Sequence, residues 1–245
     1  MTPEQFSKKI KEACGDNLLS FVVYGSEAAG DRIPGKSDCN VMVVLKAATL
    51  TALKSVAAAS KSWVKDGNPP PLIFPHGQLL SSGDVFPIEL LDMKEFHKVL
   101  LGEDPLAALE IEPEDLRLAL EHEFKGKLIH LRGSYLLAGG DKEALAGLMT
   151  DSLSQFLVLC RAALRFYMDK VPGSKLECLG ELWKYAEFDA DIFQTVHEMR
   201  KSGPQAGADM EKLFARYLSG IEQLCAVMDK LKIDEKQAKP ETFSP

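Results

Sequence analysis

Two short stretches of this sequence carry side chains that can do chemistry. Gly25-Ser26 follows the apolar run from Leu18 to Tyr24, and Ser37-Asp38-Cys39-Asn40 opens the next apolar run, Val41 to Leu45. A glycine at a strand end permits positive φ and lets a phosphate approach the backbone closely. Ser26 adds a hydroxyl and an amide donor, and a helix starting there would add the partial positive charge of its first N–H groups. Asp38 and Asn40 stand two positions apart at a strand start, so they face the same way. Two carboxylates so placed can hold two magnesium ions against a triphosphate, one polarising the phosphoryl group and the other lowering the pKa of an attacking hydroxyl. In this chain the second of those positions is an amide. Asn40 offers one neutral carbonyl oxygen and no charge, which weakens a magnesium site.

A third acid on a neighbouring strand completes such a cage. The stretch Val85 to Asp92 reads as a buried strand, and Glu89 in its middle is the expected acid. Apolar neighbours on a buried strand make an unpaired charge there costly. Asp92, three residues on, is expected to face the other side and is the second choice. Arg32 and Lys36 lie between the two motif halves, where a solvated loop charge is the simpler account of each.

The elements that must position these residues are legible from pattern. Thr2-Pro3-Glu4-Gln5 is a helix start with a capping box, and Phe6, Ile10 and Cys14 share one face of the helix that follows. Leu18–Tyr24 and Val41–Leu45 read as buried strands. A helix is expected over 49–65, stopped by Asn68 and three prolines, then a short strand over 72–74 and a turn over 81–84. From 112 onward the spacing predicts only helices: two long ones up to about 138 and 170, shorter ones over 175–187 and 190–201, and a last long one over 208–231. The expectation is an α+β chain, with a small mixed-sheet domain over 1–105, an antiparallel helical bundle over 106–232 and a polar tail over 233–245. Trp183 and Phe188 are expected to pack that bundle.

The bulk numbers narrow the function classes. The chain has 245 residues, 46% of them hydrophobic and 27% charged, with a net charge of −7. An acidic surface disfavours long nucleic acid as a partner. Five widely spaced cysteines without C-x-x-C read as small apolar residues in a reducing compartment. No apolar run is long enough to span a membrane, so the default expectation is a cytoplasmic protein. The five histidines show no metal-ligand spacing, and no nucleophile–histidine motif suggests a hydrolase.

Gly25-Ser26, the spacer, Ser37-Asp38-x-Asn40 with Val41-Met42-Val43-Val44, and a later acid together resemble the nucleotidyltransferases of the DNA polymerase beta type. The members with a helical C-terminal domain, such as the kanamycin nucleotidyltransferase group, look most similar in layout. The resemblance covers residues 18–92 by motif and 112–231 by architecture only. It implies magnesium-dependent transfer of a nucleoside monophosphate from a nucleoside triphosphate to a hydroxyl acceptor, with pyrophosphate leaving. It implies Asp38, Asn40 and Glu89 as catalytic positions, Asp38 and Glu89 as metal ligands, and Gly25, Ser26 and Ser37 at the nucleotide. Asn40 departs from the family's second acid. Two readings follow: a slow nucleotidyltransferase, or an inactive one that binds a nucleotide or a protein. The long amphipathic helices also permit a homodimer through the bundle.

Overall fold

A computed structural model describes residues 1–30, 38–205, 207–231 and 233; Ser37, Arg32, Lys36 and the tail from 234 lie outside the described residues. The chain divides into two compact units, one from Met1 to Glu112 and one from Pro113 onward.

The first unit is a four-stranded mixed sheet of order β3-β2-β1-β4. β1 (Leu18–Tyr24) and β2 (Asn40–Leu45) are its antiparallel centre, with Tyr24 opposite Asn40 at one end. β3 (Leu72–Pro75) joins β2 in parallel, and β4 (His97–Gly102) joins β1 antiparallel. The two central strands are covered on both faces, which is why they read as continuous apolar runs rather than alternating ones. One face carries Phe21, Val23, Val41, Val43 and Leu45 under the long helices α1 (Pro3–Cys14) and α3 (Leu50–Lys65). The other carries Val22, Met42 and Val44 under short pieces: α4 (His76–Leu80), α5 (Pro87–Glu95) and the turn holding Leu106 and Leu109. A one-turn helix, α2 (Ser26–Ala29), follows β1.

α1 begins as its sequence requires. The Thr2 hydroxyl accepts the Gln5 N–H at 3.3 Å, and the Gln5 side chain accepts the Thr2 N–H at 3.0 Å. Phe6 stacks on Trp63 of α3, ring centres 4.7 Å apart, and meets Phe21 of β1 edge-on at 5.5 Å.

The stretch expected as a third strand is helical instead. Pro87 stands in the first turn of α5, and Glu89, Leu90, Leu91, Met93 and Lys94 are good helix formers. A short apolar run does not separate strand from buried helix by periodicity, and here helix propensity decides. The strand that pairs with β1 is His97–Gly102, which opens on His-Lys and is only half-buried, so it gives little strand signal.

The second unit is all helical. It contains α6 (Pro113–Ala138), α7 (Lys142–Leu164), α8 (Lys175–Leu182), α9 (Ala190–Ser202) and α10 (Met210–Lys230). Phe124, Phe156, Tyr217 and Phe193 form a continuous aromatic core from α6 through α7 and α10 to α9. The Tyr217 hydroxyl lies 3.0 Å from Ser152 Oγ, and burial drives its pKa upward. Gly220 lets α10 approach α9: a Cβ there would lie 3.1 Å from Ile192 and Phe193. All five cysteines are free, and no described helix is long and apolar enough to cross a membrane.

Candidate functional site

The site expected from sequence has one end that assembles and one that does not. At the first end, β1 stops at Tyr24 and the chain turns at Gly25 with φ +79°, a region L side chains rarely enter. The Gly25 N–H donates to the Phe96 carbonyl at 3.3 Å, tying the turn to the residue before β4. A Cβ on Gly25 would stand 3.4 Å from Asn40 Nδ2, so the turn and the amide are immediate neighbours across the β1–β2 pair. Ser26 opens α2 directly after the turn.

The approach to β2 is also pinned. The Cys39 N–H donates to Asn68 Oδ1 at 3.4 Å, and Asn68 Nδ2 donates to the Trp63 carbonyl at 3.4 Å. Trp63 Nε1 in turn donates to the Pro69 carbonyl at 2.8 Å. The Asn68-Pro69 turn, which sequence reading took only as a helix stop, therefore orients the segment that presents Asp38 and Asn40. Asp38 is exposed and Asn40 half-buried. Tyr24 and Asn40 face the same side of the sheet as Val22, Met42 and Val44. Burial raises the Tyr24 phenol above its ordinary pKa, so it stays protonated at neutral pH.

His97 adds a second brace that sequence reading missed. Tyr24 pairs with it across β1 and β4. Its Nδ1 lies 3.1 Å from the Lys94 carbonyl and its Nε2 3.2 Å from Asp104 Oδ1. The ring thus fixes the strand edge beside the Gly25 turn to the loop after β4.

The other end differs from expectation. Glu89 is not on a buried strand; it lies exposed on α5, whose Pro87, Ile88, Leu90 and Met93 take the buried positions. The helix also reverses the expected relation to Asp92. Residues three apart share a helix face, so Glu89 and Asp92 stand on the same side. Among the described residues, no group of three or more His, Cys, Asp or Glu side chains could hold a metal ion. Of the expected metal-binding positions, the described residues at the β1–β2 end supply one carboxylate, Asp38, and one amide, Asn40. That set does not fit a pair of magnesium ions.

No family model and no curated protein matches the sequence. Solved structures do match in shape. The spectinomycin adenyltransferase AAD(9) from Enterococcus faecialis, crystallised with ATP and spectinomycin, aligns with a TM-score of 0.56 over 90% of this chain and 98% of its own, at 13% identity. The chain has a nucleotidyltransferase-like fold. At that identity the likeness concerns the fold. It extends through the helical half as well as the sheet.

The helical unit carries cavities of its own. A groove of about 780 Å³ between α9 and α10 is lined by Asp191, Glu198, Asp209, Lys212 and Arg216 among others. A smaller one of about 330 Å³ is walled by Trp183 and Phe188. Phe188 is buried as expected, but Trp183 is 58% exposed and forms a wall rather than packing the bundle.

Proposed function

We propose that this protein binds a nucleoside triphosphate at the Gly25 turn and transfers its nucleoside monophosphate, slowly, to a hydroxyl-bearing small molecule. One observation carries the reading: the positive-φ Gly25 turn lies against Asn40 across two paired strands, in a fold shared with an adenyltransferase along most of both chains. In this reading the phosphates lie over the Gly25-Ser26 backbone, where the missing side chain permits close approach. Asp38 and Asn40 then face the α-phosphate, and Ser37 lies one residue upstream. The acceptor oxygen attacks the α-phosphorus, the bond to pyrophosphate breaks, and the hydroxyl proton leaves with solvent or a nearby carboxylate.

A second reading is favoured by the donor set itself. With an amide at residue 40 and Glu89 exposed on a helix, the charge that would steady a pentavalent phosphorus is small. The chain is then a nucleotide-binding module without turnover. Calorimetry with ATP and GTP, followed by pyrophosphate release in the presence of candidate aminocyclitols, separates the two. Nucleotide binding with slow release supports transfer, and Asn40→Asp is expected to raise that rate at least tenfold in magnesium. Binding without release from either protein leaves the module. If neither protein binds nucleotide, both readings fall.

A further inference from the structure

Helix α6 presents an apolar face that stands exposed among the described residues. Its core side is filled by Leu116, Leu120, Phe124, Leu128 and Leu131. Yet Leu118, Ile129 and Leu136, spaced 11 and 7 residues apart, fall on one other stripe of the helix. They are 62%, 67% and 79% exposed, and Leu137 at the same end is 90% exposed. A groove of about 440 Å³ runs beside the stripe between α6 and α10, lined by Tyr135, Leu136, Phe214 and Leu218.

Two further observations say what fits there. Gly126 and Gly133, one heptad apart, flank the stripe. A glycine inside a helix costs about 1 kcal/mol relative to alanine, and among the described residues nothing lies within 4 Å of where either Cβ would be. Gly220 shows the contrast, since α9 occupies the space its missing side chain leaves. The second observation is charge. Up to residue 124, α6 carries Glu114, Asp115, Glu121 and Glu123 against one cation, Arg117; from residue 125 onward it carries Lys125, Lys127 and Arg132 and no acid. The pairs these groups make at home (Arg117–Glu121, Lys125–Asp229, Arg132–Glu222) are solvent-accessible and can exchange partners at little cost.

We propose that α6 is the contact helix of a homodimer, packed antiparallel against α6 of a second copy. A twofold axis near Lys127 lays the acidic stretch of each helix along the C-terminal stretch of the other, with Glu121 beside the partner's Arg132. It also brings Leu118 opposite the partner's Leu136, since the two stand equally far from residue 127. The heptad glycines let the two backbones approach, and the α6–α10 groove receives an apolar side chain from the partner. A parallel pair would set like charges side by side. This inference concerns the helical unit and is independent of the nucleotide reading.

Stable interfaces cover about 800 Å² per partner, and a contact through one helix is expected to be weak, so association is looked for at high concentration. The test is the mass of the full chain in solution, by light scattering and sedimentation up to about 500 µM. The expected result is a shift from 26.9 kDa to twice that mass with concentration. Leu136→Glu and Ile129→Glu should each abolish the shift while leaving Tm within a degree or two, because both sites are exposed. Raising salt should weaken the dimer several-fold. A mass fixed at 26.9 kDa at the highest concentration, a dimer that survives both substitutions, or one that tightens with salt each overturns the proposal. So does a monomer in which Leu136→Glu lowers Tm sharply, because the stripe is then covered within the chain.

Discussion

The two faces of the sheet are built differently, and the candidate site belongs to the less regular one. On one face two long helices, α1 and α3, close over Phe21, Val23, Val41 and Val43, and the stacked pair Phe6–Trp63 locks them together. On the other, two short helices and a turn cover Val22, Met42 and Val44, and Tyr24 and Asn40 point to that side near its rim. The long helices cover one side of the central strands from end to end; the cover on the other side is assembled from short pieces. The segment that carries Asp38 still depends on the regular face, because the Cys39 N–H bonds Asn68 and Asn68 hangs from Trp63 at the end of α3.

The largest test of that contrast is Trp63→Ala. The side chain is fully buried, stacked on Phe6 and bonded to Pro69. Truncation should cost about 4 kcal/mol. It should also loosen the Asn68 anchor, so that amide exchange accelerates in β2 as well as α3. The matching truncation on the other face is Leu79→Ala, in the five-residue helix α4. A short element can settle into the cavity, so about 2 to 3 kcal/mol is expected. Denaturant unfolding of both variants decides; equal losses would show that the two faces are equally rigid.

The same contrast governs what could be read from the sequence. The capping box at Thr2, both central strands and α3 were legible because each satisfies a local rule that tertiary contacts do not override. The five bundle helices were legible from their 3.6-period stripes, although α7 ends at Leu164 rather than near 170 and α8 at Leu182 rather than 187. The irregular face was not. Residues 85–92 are a short, mostly apolar run in which strand and helix look alike, and β4 is an edge strand whose identity comes from pairing with β1 rather than from composition. The turn at Gly25 and the start of β2 at Asn40 were legible because both are local signals. Glu89 was placed on the wrong kind of element because its position depended on that ambiguous run. The Asn68 and His97 braces gave no signal, since nothing in the sequence tells which backbone a side-chain amide or imidazole will meet.

Gly25→Ala comes next in size. The backbone holds φ +79° there, and an alanine in that region costs about 1 to 2 kcal/mol. Its methyl group would also stand 3.4 Å from Asn40 Nδ2, in the space assigned to phosphate. Stability should therefore fall slightly while nucleotide affinity falls about tenfold or more. Titration calorimetry on the folded variant separates the two effects. Unchanged affinity would remove the turn from the binding site and leave it a structural corner.

The smallest expected effect belongs to Glu89→Gln, and it is the most discriminating. Glu89 is exposed on α5, so the substitution should change stability by less than about 0.5 kcal/mol. Any loss of function then reports on chemistry alone. If the β1–β2 end does most of the binding, Asp38→Asn should weaken nucleotide binding more than Glu89→Gln does, and pyrophosphate release should follow the same ranking. The reverse ranking would mean that α5 brings its carboxylate to the substrate despite its open position. The irregular face would then be the one that supplies the reacting groups, with the regular face reduced to holding the strands in register.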